Sequence, residues 1–387
     1  MRLRRCSILM IELRERLAFD LSRVLHGGSG LHDVIEWIAL APHIDGQGVI
    51  LTQDEVTVLG AVSPSRWSQV QELALRHPRS LLDALLVKGL LVEEQHSARD
   101  ESVRGTYWRA TSAIAHGASR WQGVDTEEAE RLFGEHSETS LLSQLGPAPP
   151  PVRERTRREF RQSLPAATPT FLDGLLDGRV TCRNFDASRA LSLQQFSSVL
   201  YRAFGARAEN DFATGVQLLK KGVPSAGGLH PTEAYLLVQR VDGVAPGLYH
   251  YHPVDHALEP ITALNADEAA ALAKRFVAAQ AYFVDAHVMV MPTSRFVRNF
   301  WKYRNHAKAY RALILDVGHL SQTLYLAATE LGLGAFITAA INEVDIEEAF
   351  GLDPLDEGPL AVCGFGIRSP ERKEVEFDPL GIVWPTA

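Results

Sequence analysis

Apolar residues recur at helical spacing in three segments of the chain. Residues 191–205 (LSLQQFSSVLYRAFG) have apolar positions three or four apart, which predicts an amphipathic helix. Residues 267–280 (DEAAALAKRFVAAQ) predict a second helix. Residues 309–333 (AYRALILDVGHLSQTLYLAATELGL) are apolar on most sides, so they predict a long helix within the core.

Short apolar runs alternate with these helices. Residues 233–241 (EAYLLVQRV), 283–293 (FVDAHVMVMPT) and 359–367 (PLAVCGFGI) predict buried strands. Residues 247–261 (GLYHYHPVDHALEPI) predict a strand, a turn and another strand. Helices and strands in this order predict an α+β domain in which a sheet is flanked by helices.

The amino-terminal third has a different pattern. Residues 48–62 (GVILTQDEVTVLGAV) alternate weakly and predict a strand and a turn, and residues 65–78 predict a helix. In residues 79–94 (RSLLDALLVKGLLVEE), Ser80 is a candidate helix N-cap, the helix ends near Gly89, and a strand follows. Helix, helix and strand in succession are typical of winged-helix domains. A small α+β domain without an assigned role is the alternative.

Prolines separate these two parts of the chain. Residues 145–171 read LGPAPPPVRERTRREFRQSLPAATPTF, a composition that disfavours both helix and strand. We therefore predict an amino-terminal winged-helix-like domain over residues 1–145 and a linker over residues 146–170. The second predicted domain covers residues 171–387.

Composition limits the classes of function. The 387 residues are 46% hydrophobic and 22% charged, which is typical of a soluble globular protein, and the net charge is −8. An acidic chain has no general attraction to nucleic acid or to anionic membranes, so a winged helix here suits a peptide at least as well as DNA. No segment predicts a signal peptide or a membrane span, and the three separated cysteines favour a reducing compartment, so we expect a cytoplasmic protein.

One loop concentrates residues with special backbone properties. Residues 221–238 (KGVPSAGGLHPTEAYLLV) place Pro224, Gly227 and Gly228 just before a predicted strand. Adjacent glycines let a backbone approach a ligand closely, and exposed N–H groups in such a turn hold an anion or the polar edge of a heterocycle. A tight turn without a ligand is the alternative.

A second motif has the donors that a phosphate requires. In residues 179–185 (RVTCRNF), Arg179 and Arg183 flank Thr181 at alternate positions, which face one side of an extended chain. Two guanidinium groups and a hydroxyl suit a phosphate dianion. Two solvated arginines before a helix are the alternative.

In order along the chain, these motifs resemble the nitroreductase superfamily, whose members bind flavin mononucleotide. Together with GLYHYHPVDHALEPI and the long helical segment, they are similar to the SagB/ThcOx-type azoline dehydrogenases, which oxidise thiazoline or oxazoline rings in ribosomally made peptides. The resemblance covers residues 179–368. It implies a nitroreductase-like, flavin-binding α+β fold with a central mixed sheet flanked by helices, and a homodimer with flavin at the subunit interface.

The resemblance also implies roles for particular residues. Lys302 and Tyr303, in FWKYRNHAKAYR, correspond to the catalytic pair, and either side chain with a lowered pKa can accept the ring proton. Relatives often have two glycines where this chain has Ala339 and Ala340. The implied cofactor-binding residues are Arg179, Thr181, Arg183, Pro224, Ser225, Ala226, Gly227, Gly228, Glu233, Thr338, Ala339, Ala340 and Arg368.

Metals and partners complete the expectations. His250 and His252 have a spacing that suits zinc, but no third ligand follows, so we expect no metal. His319, within the apolar helical segment, is expected to be a buried core histidine. The expected partners are a modified precursor peptide and a cyclodehydratase or another maturation enzyme, with no nucleic acid and no membrane. A nicotinamide-dependent nitro or quinone reductase and a non-catalytic flavin-binding scaffold are the alternative functions.

Overall fold

A computed structural model describes residues 1–44, 48–133 and 138–385. The remaining residues, 45–47, 134–137 and 386–387, belong to the two predicted domains and lie outside the described residues. By its internal contacts the chain divides into two compact units. The first unit comprises Met1–Arg120, Arg295–Ile314 and Leu352–Gly358, and the second comprises Trp121–Ser294, Leu315–Gly351 and Pro359–Ala387.

The domain ranges drawn from the sequence stay a prediction. Residues 147–170 of the predicted linker are exposed, and apart from one 3-10 turn at Arg158–Phe160 they contain neither helix nor strand. This segment therefore lies within the second unit by contacts but contributes nothing to its core.

The elements up to residue 120 alternate between strands and short helices. The strands are β1 (Arg2–Arg5), β2 (Met10–Phe19), β3 (Leu31–Leu40), β4 (Val49–Leu51), β5 (Ser68–Gln69) and β6 (Leu91–Glu93). The helices are α1 (Leu21–Leu25), α2 (Gln53–Ala61), α3 (Val70–Ala74), α4 (Arg79–Val87), α5 (Ala98–Gly105) and α6 (Ala110–Ser119).

The elements after residue 120 include the longest helix. The helices are α7 (Thr126–Phe133), α8 (Glu138–Leu145), α9 (Phe171–Gly178), α10 (Leu193–Ala203), α11 (Ala266–Phe276), α12 (Ala281–Val284), α13 (Phe296–Lys302), α14 (Ala309–Glu330) and α15 (Glu343–Phe350). The strands are β7 (Ala206–Ala213), β8 (Val216–Lys221), β9 (Thr232–Val238), β10 (Gly247–His252), β11 (Ala257–Ala263), β12 (Val288–Arg295), β13 (Gly334–Thr338), β14 (Glu357–Pro359) and β15 (Val362–Gly366). No described helix is both long and apolar enough to cross a membrane.

Strand β1 is the centre of a small sheet in the first unit, with β5 on one side and β6 on the other. Leu3 of β1, Leu59 of α2, and Leu82 and Leu85 of α4 are fully buried in one apolar cluster beside it. This arrangement keeps the predicted order of helix, helix and strand.

Two details of the amino-terminal prediction were wrong. The segment expected to be a strand and a turn forms β4 and then α2, because the Thr52 side chain and the Glu55 side chain cap each other's backbone N–H groups at 3.2 and 2.7 Å. Helix α4 begins after Pro78, so Ser80 lies inside its first turn and is not the N-cap. The helix ends before Gly89, which has a φ of 70°.

The main sheet of the second unit has the order β11-β10-β9-β12-β15-β13, with antiparallel pairing between neighbours along this path. A parallel bridge between Thr181 and Ala335 adds to its β13 edge, so both strand directions occur. Helices α10 and α14 bury residues such as Phe196 and Leu324 against the sheet. The helices that the sequence predicts correspond to α10, α11 and α14. The strands that it predicts correspond to β9 to β12 and β15. The predicted α+β layout is confirmed.

Gly364 sits where the main sheet has no room for a side chain. It pairs with Phe336 across β15 and β13, and a Cβ at Gly364 would lie 2.1 Å from the Phe336 ring. That ring cannot easily move, because it stacks on Phe283 with 3.9 Å between ring centroids. Gly318 in α14 differs, since a Cβ there would meet no atom within 4 Å.

These two glycines predict opposite effects of alanine. Gly364→Ala should lower the free energy of unfolding by about 1–3 kcal/mol, since overpacking forces the buried ring to shift. Gly318→Ala should raise it by up to about 1 kcal/mol, because alanine favours the helix. Urea denaturation of both variants measures these changes. Equal stability of Gly364→Ala and the parent chain would contradict the packing described.

Candidate functional site

The glycine loop is held in place by a carboxylate of α14. The Ser225 hydroxyl donates to Asp316 at 2.5 Å, and the Ala226 N–H donates to the same carboxylate at 3.2 Å. The Ser225 hydroxyl oxygen also accepts the N–H of His230 at 3.0 Å, which closes the loop on itself. Gly227 and Gly228 have φ angles of 61° and 67°, the left-handed region in which glycine is favoured.

Asp316 is the central residue of this anchor. The residue is only 5% exposed. Burial raises its pKa, while the hydrogen bonds from Ser225 and Ala226 oppose that rise. Space remains on the outer side of the loop, because a Cβ at Gly228 would meet no atom within 4 Å. The loop therefore presents fixed backbone to an open region.

Arg179 and Thr181 converge on one aromatic ring. The Arg179 guanidinium lies 5.3 Å from the centroid of the Tyr325 ring, and the Thr181 hydroxyl lies 3.0 Å from the Tyr325 hydroxyl. Burial raises the pKa of Tyr325, and the contact with Thr181 opposes that rise. The parallel bridge to Ala335 fixes the backbone of Thr181. Arg179 and Thr181, both predicted phosphate ligands, thus contact the same tyrosine, Tyr325.

Arg183 does not join Arg179 and Thr181 at Tyr325. Its guanidinium donates to the Val375 carbonyl at 2.7 Å and lies 5.3 Å from the Tyr282 ring centroid. The reason is local, because the Arg183 backbone N–H donates to Glu376 at 2.6 Å and turns the chain toward the carboxyl-terminal segment. The alternation that would place Arg179, Thr181 and Arg183 on one side of an extended chain therefore stops before Arg183.

Arg368 is bound to the same buried carboxylate. Its guanidinium donates to Glu376 at 2.7 Å and to the Val180 carbonyl at 2.8 Å. Burial raises the pKa of Glu376, but hydrogen bonds from Trp384 and Arg183 and the charge of Arg368 outweigh that effect and lower it. Arg368 thus holds the backbone beside Arg179, and its predicted contact with a phosphate stays a prediction.

The segment after β13 is held by a buried amide. Gln280 is 8% exposed, and its side chain donates to the Ala340 carbonyl at 2.7 Å and accepts from the Thr338 hydroxyl at 3.2 Å. The Ala340 N–H in turn donates to Thr338 at 3.2 Å. Ala339, between them, is exposed. Gln280 therefore shapes the loop that the resemblance assigns to the flavin.

Glu233 lies on β9 and faces a histidine of β10. His250 is 3.6 Å from Glu233 and 2.6 Å from Glu259. Burial opposes protonation of His250, but the two carboxylates outweigh it and raise its pKa. His252 instead contacts Asp255. In the described part of the chain, no group of three or more His, Cys, Asp and Glu side chains has the geometry of a metal site.

Lys302 and Tyr303 lie at the end of α13, in the first unit. The Tyr303 N–H donates to the Asn299 carbonyl at 3.1 Å, and the Lys302 ammonium lies 5.7 Å from the Tyr303 ring centroid. The Asn299 side chain donates to the Ala309 carbonyl at 3.0 Å and ties the turn to the start of α14. Lys302 is exposed and Tyr303 is half-buried. The other predicted site residues belong to the second unit.

An aromatic cluster supports the Lys-Tyr turn within the first unit. Trp108 packs against Phe296 and Phe300 of α13 at 4.7 and 4.6 Å between ring centroids. His116 lies 3.0 Å from the Tyr310 hydroxyl and 3.0 Å from the Pro354 carbonyl. Burial, reinforced by Arg120, lowers the pKa of His116 to about 4. The neutral ring donates to Pro354 and accepts from Tyr310.

Sequence reasoning missed the residues that hold these segments. An acidic residue within the apolar run LILDVG was the available signal for Asp316. No signal marked Gln280 or Glu376, because the contacts that give them their roles reach far along the chain, from Gln280 to Thr338 and Ala340 and from Glu376 to Arg183. The expectation for His319 was wrong, since it is exposed on α14 and not buried in the core.

Removal of the Asp316 carboxylate should loosen the glycine loop. Asp316→Ala leaves the Ser225 hydroxyl and the Ala226 N–H without their acceptor. The free energy needed to open the loop should therefore fall by about 1–3 kcal/mol. Hydrogen exchange at residues 226–230 should therefore accelerate, whereas the exposed Asp242→Ala should change nothing there. Unchanged exchange in Asp316→Ala would show that the loop is held by other contacts.

His116 should make stability fall in acid. Its folded pKa of about 4 lies below the ordinary value of 6.5, so from pH 6.5 downward the unfolded chain binds a proton that the folded chain does not. His116→Gln should therefore reduce the loss of unfolding free energy between pH 7.5 and 5.5 by about 1 kcal/mol. An equal pH dependence in the parent chain and His116→Gln would rule out a neutral buried His116.

Comparison with known proteins finds similarity to a known family in the second part of the chain. The model of the nitroreductase family matches residues 176–367. The putative nitroreductase MJ1384 of Methanocaldococcus jannaschii is 31% identical over 195 residues, which cover 50% of this chain and 90% of that protein.

Two further relatives are named as processing proteins. The trifolitoxin-processing protein TfxB of Rhizobium leguminosarum bv. trifolii is 34% identical over 178 residues, covering 44% of this chain and 46% of TfxB. The microcin B17-processing protein McbC of Escherichia coli is 25% identical over 188 residues, covering 47% of this chain and 65% of McbC. The match thus spans less than two thirds of either processing protein. From these matches and the confirmed fold, this chain belongs to the nitroreductase family.

Proposed function

We propose that this protein is a flavin mononucleotide-dependent dehydrogenase that acts in the maturation of a ribosomally made peptide. Its substrate is a peptide that already contains a thiazoline or oxazoline ring. The reaction removes a proton from the ring carbon derived from Cα and a hydride from the neighbouring ring carbon, which leaves an aromatic azole. Molecular oxygen is the final electron acceptor.

The kinship with TfxB and McbC carries this proposal. One name describes the processing of trifolitoxin and the other the processing of microcin B17, and the two matches cover 44% and 47% of this chain. The motifs around Arg179, Gly227 and Lys302 occur in the order that the azoline dehydrogenases show. A peptide is therefore favoured over a small nitroaromatic compound as the substrate.

The residues present fit flavin mononucleotide. Arg179 and Thr181 offer a cation and a hydroxyl for its phosphate. The open region beside Gly228 leaves backbone exposed to a planar ring. Ser225 and Asp316 keep that backbone in one conformation. When bound, the flavin supplies the acceptor for the hydride.

Lys302 and Tyr303 have the chemistry to hold the ring proton. An amine or a phenolate is a competent base once its pKa approaches neutrality, and each side chain can stabilise the charge of the other across a short distance. Their position at the end of α13 is fixed by Asn299 and by the packing of Phe300 on Trp108. In this proposal, one of the two side chains accepts the proton, and the other orients the side chain that accepts it.

The remaining partners follow from the same proposal. The amino-terminal region holds the precursor peptide or a partner enzyme such as a cyclodehydratase. The protein acts as a homodimer in the cytoplasm, with residues of both copies around each flavin. Thr338, Ala339, Ala340, Glu233, Pro224 and Ala226 complete the proposed flavin contacts.

Lys302→Ala tests the proposed chemistry. The variant should keep its bound flavin, seen in the visible spectrum, because Lys302 is assigned to the proton and not to the cofactor. Its rate of ring oxidation should fall about 10²–10⁴-fold, the usual contribution of a general base. Lys308→Ala, which removes an exposed lysine from the same segment, should retain the parental rate.

Two results would overturn this assignment. A protein that takes up no flavin cannot be a flavin dehydrogenase, and loss of flavin in Lys302→Ala would make Lys302 structural. The match to MJ1384 favours a nicotinamide-dependent reductase as the second candidate, because that protein is named as a nitroreductase. Rapid bleaching of the flavin by reduced nicotinamide, without ring oxidation, would support the reductase. Equal turnover by the parent chain and a Lys302→Ala/Tyr303→Phe variant would favour a scaffold.

A further inference from the structure

One segment of the first unit is basic throughout. Residues 295–311 (RFVRNFWKYRNHAKAYR) contain six lysine or arginine residues and no aspartate or glutamate, although the whole chain has a net charge of −8. The segment comprises α13, the turn with Lys302 and Tyr303, and the first residues of α14. It lies entirely within the first unit. The protein thus has a local concentration of positive charge despite its acidic total.

Residues 107–109 pack against this segment. The Arg304 guanidinium lies 4.5 Å from the centroid of the Tyr107 ring, and the Asn305 N–H donates to the Tyr107 carbonyl at 2.9 Å. Stacking on an aromatic face holds the plane of a guanidinium in place and leaves its N–H groups available at the edge. The side chain of Arg304 is therefore oriented before any ligand arrives.

Two more arginines belong to the same surface. Arg109 follows Trp108 and Arg311 follows Tyr310, and the rings of Trp108 and Tyr310 lie 5.6 Å apart. This contact holds the backbones of the two arginines on neighbouring stretches, and both side chains are exposed. Among the residues that the structure describes, neither these two arginines nor Arg304 forms an ion pair with a carboxylate. Their charges are available to a ligand.

Exposed aromatic rings accompany these charges. Tyr107 is 41% exposed and Trp301 is 52% exposed, and the Nε atom of Arg304 donates to the Trp301 carbonyl at 3.3 Å. Tyr107 also has a φ of 57°, which is rare for an aromatic residue, and such strained residues concentrate at functional sites. Tyrosine, tryptophan and arginine contribute most of the binding energy at protein interfaces. A protein segment is therefore favoured over a free anion as the ligand.

The charge pattern selects an acidic peptide. Arginine forks bind carboxylates through two hydrogen bonds at once. Nucleic acid is the alternative polyanion, but a chain with a net charge of −8 repels a long polyanion. A short acidic segment experiences mainly the local field, because salt screens charges beyond about 10 Å at 0.1 M. Since Lys302 lies in the same segment, the bound peptide would lie beside the proposed base.

We propose that this basic patch, formed by Arg109, Arg304 and Arg311 with Tyr107 and Trp301, binds an acidic segment of the peptide substrate. The carboxylates of that segment pair with the arginines, and its backbone lies on the two aromatic rings. The proposal rests on the proposed function for the identity of the peptide as substrate. It adds a preference for aspartate or glutamate close to the ring that is oxidised.

Fluorescence anisotropy of the full-length protein, purified with flavin mononucleotide, measures this contact without any chemistry. The probe is a rhodamine-labelled peptide in which glutamate alternates with glycine, and its control has glutamine in place of glutamate. The glutamate peptide should bind about tenfold more tightly or better at low salt. Its affinity should fall as sodium chloride is added, because exposed ion pairs are screened.

Removal of two charges tests which residues bind the probe. Arg109→Gln/Arg311→Gln should weaken binding of the glutamate peptide about tenfold, because two exposed ion pairs are lost. Arg304 stays in place because it packs on Tyr107. The matched control replaces two exposed arginines elsewhere in the first unit and should bind as the parent chain does; it is Arg66→Gln/Arg76→Gln.

Four results would overturn the proposal. They are equal binding of the glutamate and glutamine peptides, an unchanged affinity in Arg109→Gln/Arg311→Gln, equal weakening in the control variant, and tighter binding of a rhodamine-labelled single-stranded RNA than of the glutamate peptide. The last result would assign the patch to nucleic acid.

Ring oxidation tests the preference separately. Two thiazoline peptides, one with glutamate and one with glutamine beside the ring, give a ratio of kcat/KM. That ratio should favour glutamate in the parent chain and should fall about tenfold in Arg109→Gln/Arg311→Gln, mainly through a higher KM for the glutamate peptide. An unchanged ratio would contradict the preference. If the parent chain oxidises neither peptide, the proposed dehydrogenase fails, and the anisotropy measurement still decides whether the patch binds an acidic peptide.

Discussion

The buried carboxylate of Asp316 is the interaction on which the candidate site depends. It joins the longest helix of the chain to the glycine loop through the Ser225 hydroxyl and the Ala226 N–H. A loop with two left-handed glycines has many alternative conformations, so it cannot present fixed N–H groups by itself. The core residues of α14 place the carboxylate, and the carboxylate in turn selects one loop conformation.

The same principle recurs around the other predicted site segments. Glu376 is 2% exposed and draws the backbone of Arg183 and the side chain of Arg368 to one point, while Gln280 fixes the segment from Thr338 to Ala340. In each case a buried polar side chain satisfies backbone groups that are distant in sequence. Such contacts are costly to break, because the abandoned partner stays buried. They give the site segments a rigidity that loops of this composition lack on their own.

Much of the second unit could be predicted because its signals are local. The apolar spacing of residues 191–205 and the alternation of HYH at 250–252 act over a few residues, and the structure confirms both elements as α10 and β10. Helix α2 was missed because its capping box, Thr52 with Glu55, overrode a weak alternation. The roles of Asp316 and Gln280 could not be predicted, since their partners lie about 90 and 60 residues away and only the fold brings them together.

The central claim is that flavin mononucleotide binds against the glycine loop and the Arg179–Thr181 segment. Hydrogen exchange of the protein with and without added flavin mononucleotide tests it most directly, because exchange locates the contact without any assumption about the substrate. The account predicts that flavin slows exchange at residues 225–230 and at residues 179–183. Slowed exchange confined to other segments, or no change at any residue at saturating flavin, would contradict it.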